Sequence, residues 1–167
     1  HIFLEQGREN GYLVGGISQD FENSASLGRD SIFVIEADEY DSAFFDKRSK
    51  FIHYCPTNLI INNIEFDHAD IFNDLNDIKR QFHHLIKTIK SSGNIIYFKD
   101  DNHTLDVIKE GVWCNKIGIN SELIFADCNS KELRIGNEIF SLANLPLIGE
   151  HNFKNYVCSI LAAKLEG

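Results

Sequence analysis

The sequence predicts an α/β fold: a mostly parallel sheet flanked by helices, with a small antiparallel β appendage. Three observations carry this expectation. Continuous apolar runs at 31–37 (SIFVIEA), 58–64 (NLIINNI) and 94–98 (NIIYF) suit strands of a buried parallel sheet. An amphipathic pattern separates the last two. The tail then changes to short β runs around Gly136 and Asn137, a plausible tight hairpin turn.

Taken in order, residues 1–11 (HIFLEQGRENG) read as the last turns of a helix stopped by glycine. Residues 12–16 (YLVGG) form a short apolar run with strand character, and 18–30 are polar and loop-like. The run 31–37 is expected to be a strand buried on both faces. Residues 40–51 are expected to be helix and then turn, completing a βαβ crossover to the strand at 58–64 behind Pro56. Leu75, Ile78, Phe82, Leu85, Ile86 and Ile89 fall at three- and four-residue steps, the stripe of a helix over 74–90 capped by Asn73 or Asp74. The strand at 94–98 and a short helix at 104–110, stopped by Gly111, follow. Runs at 122–128 and 132–142 give the antiparallel piece. Val157, Ile160, Leu161 and Leu165 mark a final helix over 155–166.

The chain of 167 residues is long enough for one compact domain with a real core. Hydrophobic residues at 43% and charged residues at 25% place it among globular proteins rather than disordered or fibrous ones. Sixteen Lys and Arg against 25 Asp and Glu leave a formal net charge of −9, which argues against a general polyanion binder. A nucleotide site is still compatible, because a cation or a few backbone N–H groups can hold phosphates locally. Cys55, Cys114, Cys128 and Cys158 form no C-x-x-C pair and read as free, buried thiols in a reducing compartment. No apolar run has the length of a membrane span, and no signal peptide opens the chain, so a soluble cytoplasmic protein is expected.

Three clusters can carry chemistry. The first, Glu36 to Asp41 (EADEYD), follows the run 31–37. Ligands of open α/β sheets bind beyond the carboxyl ends of the strands, where a carboxylate can hold a hard cation. Asp38 and Asp41 read rather as solvated acids capping the next helix. The second, Asn62-Asn63-Ile64-Glu65-Phe66-Asp67-His68-Ala69-Asp70, follows the run 58–64, so Glu36 and His68 would flank one metal-phosphate site if the two strands are neighbours. His83 and His84, within the helix, read as surface or packing residues. The third, Gly149-Glu150-His151-Asn152-Phe153-Lys154-Asn155, is a turn running into the last helix. Its asparagines suit the edge of a purine base, or else cap the helix.

In combination, IEADEYD, NNIEFDHADIF and GEHNFKN resemble the central ATP-binding domain of the Mur ligases, the ATP-dependent amide-forming enzymes of bacterial peptidoglycan synthesis. With FVIEADEYDSAFFDKRSKFIHYCP and RQFHHL, the resemblance is strongest to the branch that recycles murein peptide. That branch joins the tripeptide L-Ala-γ-D-Glu-meso-diaminopimelate to UDP-N-acetylmuramate. The resemblance implies that ATP phosphorylates the lactyl carboxylate of UDP-N-acetylmuramate, and the tripeptide amine then displaces phosphate from the acyl phosphate. It implies that Glu36 and His68 are the catalytic and Mg²⁺-binding residues. His151, Asn152 and Asn155 correspond to the adenine-binding motif, and Asn63, Glu65 and Asp67 take supporting roles. Imidazole is an unusual ligand for a hard cation, so the role of His68 rests on the resemblance alone.

The family pattern also contains a glycine-rich phosphate loop ending in Gly-Lys-Thr, and no G-x-x-x-x-G-K-[ST] occurs in these residues. The expectation is that 1–167 is a truncated central domain, inactive by itself, whose phosphate loop and flanking UDP-binding and carboxy-terminal domains belong to a longer ligase. Three alternatives stand beside it. They are a UDP-N-acetylmuramate–L-alanine ligase, a metal-dependent hydrolase using Asp67, His68 and Asp70, and a non-catalytic domain that kept only the fold.

Overall fold

A computed structural model describes residues 1–16, 18, 20–66 and 69–167 of the chain. They divide into two compact units, 1–38 and 39–167. The first begins with a single helical turn, α1 (Ile2–Glu5), and holds three short strands, β1 (Gly11–Leu13), β2 (Ala25–Ser26) and β3 (Phe33–Ile35). β1 is central, antiparallel to β2 and parallel to β3, with Gly11, Tyr12 and Leu13 opposite Phe33, Val34 and Ile35. The expected strand at 31–37 therefore exists and is parallel to a neighbour. It is not buried on both faces, however: Phe33 and Val34 are 48% and 46% exposed. Arg8 clamps Asp30 through two hydrogen bonds of 2.8 and 3.1 Å, and this guanidinium holds the Asp30 carboxyl well below the usual carboxylate range.

The second unit opens with a hairpin, β4 (Asp41–Ala43) and β5 (Asp46–Ser49), followed by a 3₁₀ turn (Lys50–Tyr54). The helix expected over 40–51 is thus absent. Short polar side chains here bond to nearby backbone and compete with helix formation. Ser42 Oγ donates to the Arg48 carbonyl at 2.9 Å, and Asp46 Oδ1 accepts from the Arg48 N–H at 3.1 Å.

The body of this unit is a parallel sheet of β6 (Asn58–Ile61), β7 (Asn94–Phe98) and β8 (Asn115–Ile119), in that order. α2 (Leu75–Lys87) connects β6 to β7, and α3 (Asn102–Glu110) connects β7 to β8. Asp74 caps α2 as expected, accepting from the Asp77 N–H at 2.9 Å. Side chains of β7 alternate between two cores, as a strand's two-residue period requires. Ile95 and Tyr97 join Leu59, Ile61, Ile78, Phe82, Leu85, Ile86 and Val107 on the face covered by α2 and α3. Ile96 and Phe98 join Ile119, Leu133, Phe153, Val157 and Leu161 on the other face. That second core is closed by an antiparallel sheet, β9 (Ile124–Asp127), β10 (Glu132–Ile135) and β11 (Glu138–Ser141), and by α4 (Glu150–Leu165). Gly136, at φ 56°, makes the predicted β10–β11 turn.

α4 begins at Glu150, five residues before the sequence pattern places it. Gly149 marks its start, and a Glu150–Lys154 ion pair of 3.0 Å supports the first turn. Of the cysteines, only Cys158 is buried. Cys114 and Cys128 are half-buried and Cys55 is exposed, correcting the expectation that all four sit in the core.

Candidate functional site

In the first unit, the parallel pairing of β1 and β3 brings their carboxyl ends to one edge. Glu36 follows β3 there. Its own N–H donates to the Leu13 carbonyl at 2.9 Å, and the Gly15 N–H donates to Glu36 Oε2 at 2.6 Å. A side chain at Gly15 would crowd this approach, because a Cβ would stand 3.3 Å from the same oxygen. Glu36 is exposed, and among the described residues its Oε1 accepts no hydrogen bond. An oriented carboxylate with one oxygen open to water fits a Mg²⁺ ion, which takes few protein ligands and keeps several waters. No group of three or more His, Cys, Asp or Glu able to hold a metal occurs among the described residues. Asp67 and His68 lie outside the described residues, so the pairing of His68 with Glu36 stays an expectation from the sequence.

In the second unit, Asn62 follows β6, Asp100 and Asp101 follow β7, and Asn120 follows β8, all at the carboxyl edge. Asp101 joins two segments of this edge. Its carboxylate caps α3, accepting from the N–H groups of His103 and Thr104 and from the Thr104 hydroxyl. It also accepts from the Ile64 N–H at 3.2 Å, which anchors the start of the second cluster. Asn120, in the left-handed region at φ 63°, donates to Asp100 at 3.3 Å.

α4 runs antiparallel to β6. Asn62 Nδ2 meets Asn155 Oδ1 near the start of the helix at 2.8 Å, and Asn58 Nδ2 meets Glu166 Oε1 just beyond its end at 2.5 Å. The amino end of α4, where the helix dipole is positive, therefore lies toward the carboxyl edge of the sheet. Lys154 adds a cation there. It pairs with Glu150, which raises its ionisation above the usual lysine range, with smaller contributions from Asp100 and Asp101, and it lies 5.4 Å over the Phe98 ring.

The third cluster is thus the first two turns of a helix, not a turn before one. His151 and Asn155 are exposed, and Asn152 Nδ2 donates to the Ile148 carbonyl at 2.8 Å. A cleft of about 170 Å³, lined chiefly by Leu145, Leu147, Ile148, Phe153 and Tyr156, opens on a different face of α4 and is lined by none of the three. Tyr156 steadies its wall, accepting from the Leu147 N–H at 2.9 Å. Sequence reasoning gave no role to Gly15, Asp101 or Lys154. Asp101 carried a readable signal, an acid between a strand and a helix at cap position. Gly15 carried none, because its partner is 21 residues away.

Residues 19–163 match the model of the Mur ligase middle domain. The UDP-N-acetylmuramate--L-alanyl-gamma-D-glutamyl-meso-2,6-diaminoheptandioate ligase of Escherichia coli is 43% identical over 171 residues, covering 98% of this chain and 37% of that protein. The chain therefore spans little more than a third of that relative. The crystal structure of the corresponding ligase from Neisseria meningitides superposes with a TM-score of 0.88 at 36% identity, covering 99% of this chain and 56% of that one. MurF ligase from Thermotoga maritima, solved in complex with ADP, shares the fold with a TM-score of 0.63 at 14% identity, over 98% of this chain and 41% of its own.

Proposed function

The chain belongs to the Mur ligase family as its middle domain, and from that premise we propose that it is the ATP-binding part of a murein peptide ligase. The complete enzyme joins L-Ala-γ-D-Glu-meso-diaminopimelate to UDP-N-acetylmuramate in the recycling of cell-wall peptide. The observation that carries this reading is the 43% identity with the Escherichia coli ligase over nearly the whole chain.

A free carboxylate is a poor electrophile. Transfer of the ATP γ-phosphoryl group to the lactyl carboxylate supplies a leaving group, and the tripeptide amine then attacks the acyl carbon and releases phosphate. The protein's contribution is placement of the reactants and compensation of charge on the transferring group. Glu36, fixed by the Gly15 N–H, and His68 are the residues that would hold Mg²⁺. Bound there, the ion would offset negative charge on the nucleotide phosphates. Asn152, Asn155 and His151 lie at the amino end of α4 and would receive the adenine. Lys154 supplies positive potential beside them. With no helix among the described residues long and apolar enough to cross a membrane, the proposed setting is the cytoplasm, where nucleotide precursors and ATP are available.

The deciding assay uses the full-length protein with Mg-ATP and UDP-N-acetylmuramate, and measures phosphate release with the tripeptide or with free L-alanine as acceptor. Release with the tripeptide alone is expected. Release with L-alanine alone would move the protein to the sister branch, and release with neither would contradict a ligase. The 167-residue chain by itself, lacking G-x-x-x-x-G-K-[ST], is expected to bind Mg-ATP weakly in calorimetric titration, because that loop supplies most phosphate contacts.

A further inference from the structure

Asn62 and Cys158, to which the proposed reaction gives no part, form a hydrogen-bonded series with Asn155. The Cys158 thiol donates to Asn62 Oδ1 at 3.8 Å, and Asn62 Nδ2 donates to Asn155 Oδ1 at 2.8 Å. Cys158 is only 2% exposed, and burial pushes its ionisation up to about 12, so it remains a donor at neutral pH. With the thiol as donor, the Asn62 amide faces it with its oxygen and turns its N–H outward. Asn62 then meets Asn155 with its own N–H, and Asn155 answers with its carbonyl. The other branch of the Asn155 amide, Nδ2, has no protein acceptor among the described residues, on a residue that is exposed.

We propose that Asn62 is a positioning residue for nucleotide recognition: it holds the Asn155 amide so that an N–H donor, not a carbonyl, meets an unprotonated ring nitrogen of the purine. This rests on the reading of Asn155 as a nucleotide contact. Purine rings carry such nitrogens as bare acceptors, and a donor pre-set by a side-chain hydrogen-bond series meets them at a smaller cost in ordering. An asparagine left free to rotate would offer either group and discriminate less.

The test uses the full-length ligase and reads kcat and KM for ATP, 1-deaza-ATP and 7-deaza-ATP, each analogue lacking one ring nitrogen. The wild-type protein is expected to lose about fivefold in KM on at least one analogue, the worth of one neutral hydrogen bond. Asn62→Leu is expected to raise the KM for ATP by about as much, leave kcat unchanged and erase the discrimination. Asn62→Asp, which offers only acceptors, should turn the Asn155 amide over and do the same. If Asn155→Ala leaves the KM for ATP unchanged, the nucleotide reading of Asn155 fails and takes the inference with it. If Asn155→Ala raises KM while both Asn62 variants keep the wild-type discrimination, or while the wild type shows none, the inference alone is overturned. Should the Asn62 variants fail to fold, Cys158→Ser, which keeps a donor, is expected to preserve discrimination and Cys158→Ala to weaken it. Equal discrimination in that pair would overturn the proposal.

Discussion

At the amino edge of the β6–β7–β8 sheet, Asn58, Asn94 and Asn115 lie in register and hydrogen-bond in series. Asn94 Nδ2 is 2.7 Å from Asn58 Oδ1, and Asn115 Nδ2 is 3.2 Å from Asn94 Oδ1. Glu166 receives the remaining N–H of Asn58. At the carboxyl edge the same residue type behaves differently. Asn62 spends its amide on Cys158 and Asn155, and the series ends on an exposed Asn155 with a donor left over. The first series ends on the Glu166 carboxylate, which takes its last donor within the chain, so it serves stability. The second stops at the surface, beside a helix amino end and Lys154, so it can serve a ligand. An asparagine's role is thus read from where its hydrogen-bond series ends, not from its identity.

The contrast is broken most severely by the residues proposed to hold Mg²⁺. In the full-length protein, Glu36→Gln and His68→Ala are each expected to lower kcat for ligation by about 10²–10³-fold, as loss of a charge-positioning group does. Circular dichroism should show the fold unchanged. Wild-type turnover in either variant would make these clusters structural.

Asp101→Ala should act on stability instead. It removes the α3 cap and the anchor of Ile64 together, and a fall of about 2 kcal/mol in denaturant unfolding is expected. An unchanged midpoint would mean the second cluster is held by something else. Asn94→Leu, at the centre of the amino-edge series, is expected to cost about 1–2 kcal/mol through the partners it leaves unpaired, with KM for ATP unaltered.

The last effect is absent at neutral pH and develops only in alkali. The Cys158 thiol is raised from 9.0 to about 12 by burial. For a group whose folded ionisation is raised, the stability it contributes is complete below the ordinary value and lost as pH rises toward the folded one. The wild-type protein should therefore lose stability between pH 9 and 12 relative to Cys158→Ala. A parallel loss in both proteins would contradict a buried neutral thiol. Below that range, exposed Cys55 should react with a thiol reagent while Cys158 does not.

Much of this arrangement was legible beforehand, for identifiable reasons. The stripe from Leu75 to Ile86 and the run 94–98 were readable because burial against one core or between two leaves a regular imprint. β8 was missed because Lys116 and Gly118 interrupt its apolar character at the sheet's edge. The β4–β5 hairpin leaves no strand signal in the sequence because its register rests on Asp46, Ser42 and Arg48 bonding to one another and to backbone, not on a hydrophobic period. The motif residues Glu36, Asn152 and Asn155 stood out through their resemblance to a family. What they touch did not: Gly15 with Glu36, and Asn62 with Asn155, are contacts made by tertiary packing across 21 and 93 residues.

The most direct measurement is calorimetric titration of Mg-ATP into two variants of the full-length protein, Asn155→Ala and Asn94→Ala. If the carboxyl edge is the nucleotide edge, the first loses about tenfold in affinity, the effect of one or two lost hydrogen bonds, and the second binds like the wild type. Equal affinities in the two variants, or a loss confined to Asn94→Ala, would contradict it.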